Sequence, residues 1–181
     1  MSDLGLTAVI AGGILTALYV FFVLAGGVTT RRVIAKFPRN RPAALVLSAA
    51  DVVWAAVIVL NAELGRFEHY KPWLYVLAPV LYFCVIQLMD ELLAPRALGG
   101  LLLLAACPML AAARWHESAW KYLVAVVAYI IVVKGMVLIL SPYKFRQAMD
   151  LLIRNRSVFM LFSLLGLALG ILLIFLGVKV Y

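Results

Sequence analysis

The chain has 181 residues, of which 67% are hydrophobic and only 13% are charged, far above the roughly half-apolar make-up of a soluble globular domain. A water-soluble fold is excluded. Sixteen Lys and Arg against eight Asp and Glu leave a formal charge of +8; in so apolar a chain this excess must sit in short connections, so nucleic-acid binding is a poor use of it.

Six apolar segments approach or meet the roughly 20 residues a bilayer-crossing helix needs: 5–28, 42–62, 72–93, 97–113, 118–141 and 157–178. The expected fold is therefore all-α, a single polytopic membrane bundle of about six transmembrane helices occupying 1–181. The first segment follows no basic stretch and is too long for the core of a signal peptide, so it is expected to be retained as a span. It carries Ala8-x3-Gly12 and Gly13-x3-Ala17, small-residue spacings that favour close helix contact. The second span contains Asp51, and the first hairpin occupies 5–62. The third holds Pro79 and Gln87 and ends on Asp90 and Glu91, which read as interfacial charges that pair locally. The fourth, with Pro108, is the shortest, and the fifth carries Lys134.

The connection that follows, 143–156, sets Phe145, Met149, Leu152 and Ile153 at helical spacing among Lys144, Arg146, Arg154 and Arg156, the pattern of an amphipathic helix lying in the membrane interface. Those four cations suit anionic lipid headgroups or the acidic segment of a partner. The sixth span repeats the small-residue spacing as Gly166-x3-Gly170. Cys84 and Cys107 lie in apolar runs, outside any CxxC pair or metal-ligand spacing, and read as small core residues; neither a disulfide framework nor a metal site is suggested.

Orientation follows from the loops. One set holds ten Lys and Arg, at 31, 32, 36, 39, 41, 96, 144, 146, 154 and 156; the other holds five, at 66, 71, 114, 121 and 179. By the positive-inside rule both termini are expected on the outer side, and Tyr70, Trp73, Tyr75, Trp115, Trp120 and Tyr122 mark the outer interface.

Displacing the chain by 47 residues superposes span three on span five. His69 falls on His116, Trp73 on Trp120, Tyr75 on Tyr122, Val80 on Val127, Tyr82 on Tyr129, Met89 on Met136 and Pro95 on Pro142. Spans three and four (66–113) and five and six (114–181) then read as parallel repeats, expected to relate by a pseudo-twofold axis along the membrane normal.

The stretch Lys134-Gly135-Met136-Val137-Leu138-Ile139-Leu140-Ser141-Pro142-Tyr143-Lys144-Phe145-Arg146, followed by the Gly166 to Gly170 segment, resembles the short two-span YjeT-type bacterial membrane proteins. Lys134 stands where that family places an acidic residue, and the inner connection is longer. The resemblance covers about 50 residues, and it implies a bacterial inner-membrane setting and no particular activity.

An ionisable group inside the bilayer costs about 2.5 to 3.5 kcal/mol on insertion scales, so Asp51 and Lys134 each need a partner or a purpose. At 1.5 Å per residue they stand about 14 and 12 Å from the inner ends of their helices. Two readings stay open. One is a proton- or ion-coupled site between spans two and five, completed by Gln87, the repeat counterpart of Lys134; the other is a structural ion pair, or a Lys134 that snorkels to the interface. His69 and His116, brought together by a pseudo-twofold axis, would offer a metal or haem two imidazoles; without a cofactor they are interfacial polar groups, and no cofactor is expected.

The chain offers no nucleophile-base pair, phosphate loop or metal motif, and its wet loops are too short for a catalytic domain, so an enzyme is not expected. The leading expectation is a non-catalytic membrane subunit or scaffold, packing on other subunits or on itself through Gly12, Gly13, Gly166 and Gly170 and through its basic cytoplasmic face. The alternative is a small transporter or channel using Asp51, Gln87 and Lys134.

Overall fold

The computed structural model describes residues 3–37, 40–63, 65–88, 93–115, 118 and 120–180. Among these residues seven α-helices follow in order: α1 (Asp3–Lys36), α2 (Arg41–Asn61), α3 (Leu74–Leu88), α4 (Leu93–Trp115), α5 (Lys121–Leu140), α6 (Pro142–Arg154) and α7 (Arg156–Lys179). A 3-10 helix, Gly65–Trp73, leads into α3, and no strand is present among the described residues. Among the described residues six segments, in all helices but α6, are long and apolar enough to cross a membrane.

Local chemistry sets most boundaries. Asn40 caps α2 by accepting a hydrogen bond on Oδ1 from the Ala43 N–H at 3.4 Å, and Pro42 occupies the first turn, where its missing N–H costs nothing. Pro142 ends α5 and opens α6 in the same way. Gly65 adopts φ +54°, a left-handed conformation that a side chain would strain, where the chain enters the 3-10 turn.

Two spans differ from expectation. Helix α1 runs for 34 residues, about 51 Å at 1.5 Å per residue, well past a hydrocarbon core of about 30 Å. Its far end continues through Gly26, Gly27 and Thr30 and packs against α6. The fourth span has 23 residues rather than a short core, because Pro95 and Arg96 fall in its first turn, which tolerates a residue without an N–H.

The helices associate as antiparallel pairs: α1 with α7, α2 with α3, and α4 with α5. Helix α4 is the hub, touching α5, α2 and α1. Both termini lie on one face, called the terminal face below; α6 and the α1 extension lie on the opposite, basic face. The main core joins Leu4 and Ala8 of α1, Ala106, Met109 and Ala113 of α4, Val124, Val127 and Ala128 of α5 and Leu173 of α7. A smaller core of Ala44, Leu93 and Ala94 holds α2 to α4 toward the basic face.

Glycines draw two of the pairs together. A Cβ at Gly12 would stand 2.8 Å from the Gly170 carbonyl oxygen and 2.9 Å from Ile174 Cγ1; one at Gly99 would stand 2.8 Å from the Gly135 oxygen and 2.8 Å from Ile139 Cγ1. The α1/α7 and α4/α5 seams thus share one device, a glycine laid on the backbone of a Gly-x3-Ile segment. In lipid, where apolar surface gains little by leaving the solvent, such backbone proximity supplies the packing that holds helices together. Gly166 makes room for the ring of Tyr19, which packs edge-on to Phe162 at 5.9 Å between centroids.

Candidate functional site

The expected intramembrane pair is where the structure is most informative. Asp51 lies at the middle of α2, ten residues from either end, and its carboxylate rests against α4 at Gly100: a Cβ there would meet Oδ2 at 2.9 Å. Asp51 Oδ1 is buried and has no hydrogen-bond partner. The adjacent α2 hydroxyl, Ser48, is turned to its own helix, donating to the Ala44 carbonyl at 2.8 Å.

Lys134 is on α5, six residues from the end of that helix, and its Nζ lies 6.0 Å from the centre of the Phe162 ring of α7, within cation–π range. No ion pair joins Asp51 to Lys134. The reason is the placement of α4. Gly100 faces α2 and receives Asp51, whereas Gly99, one residue earlier and so about 100° away around the helix, faces α5 at Gly135, the neighbour of Lys134. Depth along the membrane brings the two charges to the same turn of α4, and the body of α4 keeps them apart. Gln87 is exposed, one residue from the end of α3, so the three polar residues do not form one site.

At the terminal face His69 is exposed in the 3-10 helix and packs edge-on to Tyr70, with ring centroids 5.8 Å apart. His116 lies outside the described residues, as do Asp90 and Glu91. Among the described residues no three His, Cys, Asp or Glu side chains gather as a metal cluster. On the basic face α6 forms as an amphipathic helix, Pro142–Arg154, with Lys144 and Arg154 exposed and Arg156 exposed at the start of α7. The Arg146 side chain lies outside the described ones.

Of the four glycines singled out by spacing, Gly12, Gly166 and Gly170 are spent on the internal α1/α7 seam, while Gly13 has nothing within 4 Å of a Cβ position and faces outward beside exposed Ala17. Sequence reasoning missed Gly99, Gly100, Gly135 and Gly177, which also receive neighbouring helices. The signal was present. A glycine in a helix interior costs roughly 1 kcal/mol relative to alanine, and each of these stands in an apolar span where only close approach of another chain segment repays it. The cysteines also correct the expectation: Cys84 and Cys107 are both free and exposed, because α3 is peripheral and residue 107 faces away from the α4 seam.

The 47-residue correspondence joins helices with different surroundings. Val127 of α5 is buried, while its counterpart Val80 of α3 is half exposed. No residue of α3 is buried at all. Along one side α3 packs on α2, to which Tyr82 is tied by donating its hydroxyl to the Leu45 carbonyl at 3.2 Å. Its other side presents Val76, Leu77, Val80, Leu81, Phe83, Cys84 and Leu88, all exposed.

Six apolar spans and cores made of helix seams, with only Asp51 and Lys134 charged well inside their helices, define a multi-pass helical membrane protein among the described residues. Comparison with family models, curated proteins and solved structures finds no match.

Proposed function

We propose that the protein is a non-catalytic subunit or scaffold of a membrane complex, and that α3 is the helix it offers to a partner's transmembrane segment. The observation that carries this reading is that α3 alone among the described spans has no buried residue. The glycine contacts that hold the bundle together are satisfied within the chain, which leaves α3 as the face available for assembly; Gly13, with open space at its Cβ position, and the exposed Ala17 of α1 offer a second close-packing stripe. The separation of Asp51, Lys134 and Gln87 weighs against a transport site built from these three.

A benzophenone attached to Cys84 in a Cys107→Ser chain is expected to capture one discrete protein in native membranes, whereas the same probe on Cys107 in a Cys84→Ser chain captures lipid. Equal protein capture from both positions, or lipid alone from Cys84, contradicts the assignment of α3.

The membrane we propose is the bacterial inner membrane, with the terminal face outward. The charge bias of the loops and the YjeT-type resemblance support this. Alkaline phosphatase fused after Gly65 is expected to be active and after Asn155 inactive; the reverse pattern inverts the orientation.

A further inference from the structure

Between α2 and α3 lies a cleft of about 360 Å³, within the roughly 300 to 1,000 Å³ typical of small-molecule sites. Three alanines, Ala49 and Ala56 of α2 and Ala78 of α3, leave the space open, and apart from the tyrosine rings of Tyr75 and Tyr82 every lining residue is aliphatic or proline. The cleft follows α2 from Ala49 to Leu60, a length of about 16 Å at 1.5 Å per residue. That is half of a hydrocarbon core of about 30 Å, the depth of one leaflet.

The two ends of the cleft differ. Toward the membrane centre Tyr82, the last lining residue of α3, ties α3 to α2 through its hydrogen bond to the Leu45 carbonyl. Toward the terminal face it runs out at Leu60 and Leu74, directly below the 3-10 helix. There Trp73 and Tyr70 are exposed at interfacial height, and Lys71 is half-buried beside Glu68 at 3.7 Å. A transmembrane helix, about 10 Å across with its side chains, does not fit such a space. A single alkyl chain does, entering from the interface and ending near mid-membrane.

We propose that this cleft is a binding site for one acyl chain of a phospholipid drawn from the leaflet on the terminal face, with its headgroup at the level of Lys71 and Trp73. The site uses the α2-facing side of α3, opposite the surface assigned to a partner, and does not depend on that assignment. Close van der Waals packing of the chain against Ala56, Ala78 and Pro79 supplies the affinity, and the Tyr82 tie sets the length accepted.

The test is native mass spectrometry of the full chain after exchange into a mild detergent, comparing wild type with Ala56→Phe and Ala78→Phe, which fill the cleft from opposite helices. Wild type is expected to retain one phospholipid per chain, and each variant to show about tenfold lower occupancy with unchanged helicity and melting temperature. Should either phenylalanine impair folding, Ala49→Leu fills less volume and serves the same comparison. A wild type that carries no lipid, variants that retain lipid as wild type does, or a free fatty acid in place of the phospholipid overturns the proposal.

Discussion

Gly99→Leu is expected to reduce folded yield sharply and to lower the melting temperature of the detergent-solubilised protein more than an equally bulky change outside the seams. A Cβ at position 99 would stand 2.8 Å from the Gly135 carbonyl oxygen and 3.1 Å from Leu138 Cβ. The first of these is backbone, so a larger residue is accommodated only by parting α4 from α5, and α4 is also the helix that holds α2 and α1. Overpacking of a close contact costs typically 1 to 3 kcal/mol and occasionally more. Gly12→Leu is expected to behave alike, since its Cβ would meet the Gly170 oxygen at 2.8 Å. The matched control is Gly13→Leu, one residue away and open to lipid, where a change within about 0.5 kcal/mol is expected. Thermal melts followed by circular dichroism decide the matter: similar losses for Gly12→Leu and Gly13→Leu would refute the seam.

The second large effect has the opposite sign. Asp51→Leu keeps the branching of the side chain and removes a buried carboxylate oxygen that has no hydrogen-bond partner, so it is expected to stabilise the bundle by about 1 to 3 kcal/mol, the usual cost of an unsatisfied buried polar group. Lys134→Met removes a cation that faces Phe162 rather than Asp51. With α4 between the two sites, the double variant is expected to equal the sum of the singles within about 0.3 to 0.5 kcal/mol. An Asp51→Leu chain that loses stability and recovers it on adding Lys134→Met contradicts this geometry, because that is the response of a true ion pair once one charge is stranded.

These expectations show where the sequence was informative. Span number and the amphipathic helix α6 were legible because hydrocarbon thickness and amphipathic spacing act locally: about 20 apolar residues are a span wherever they occur. The start of α2 near residue 42 and the break at Pro142 were legible for the same reason, whereas the Asn40 cap was not read from the sequence. The end of α1 was not. Gly26 and Gly27 weaken a helix on their own, yet the chain stays helical to Lys36, and its far end packs on α6.

Which helix meets which was harder to read. In a soluble protein the apolar stripe marks the buried face, but a span surrounded by lipid is apolar all round, so Val80 and Val127 look alike in sequence although one is exposed and the other buried. Depth arithmetic set Asp51 and Lys134 about 14 and 12 Å from the inner ends of their helices, but it carries no azimuth, and azimuth decides whether two charges meet. Glycine spacing was legible in α7, where Gly166 and Gly170 share a helix face. It was silent for Gly99 and Gly135, which meet from different helices.

The central claim is that a glycine-seamed bundle presents α3 for assembly, and it is tested most directly by the native mass of the tagged chain gently extracted from its own cells. The account predicts the 19.9 kDa chain in a stoichiometric complex with another membrane polypeptide, dissociated by Val80→Ala with Phe83→Ala on the exposed side of α3 while the bundle stays folded. A chain that runs alone, or a complex indifferent to those two residues, would contradict it.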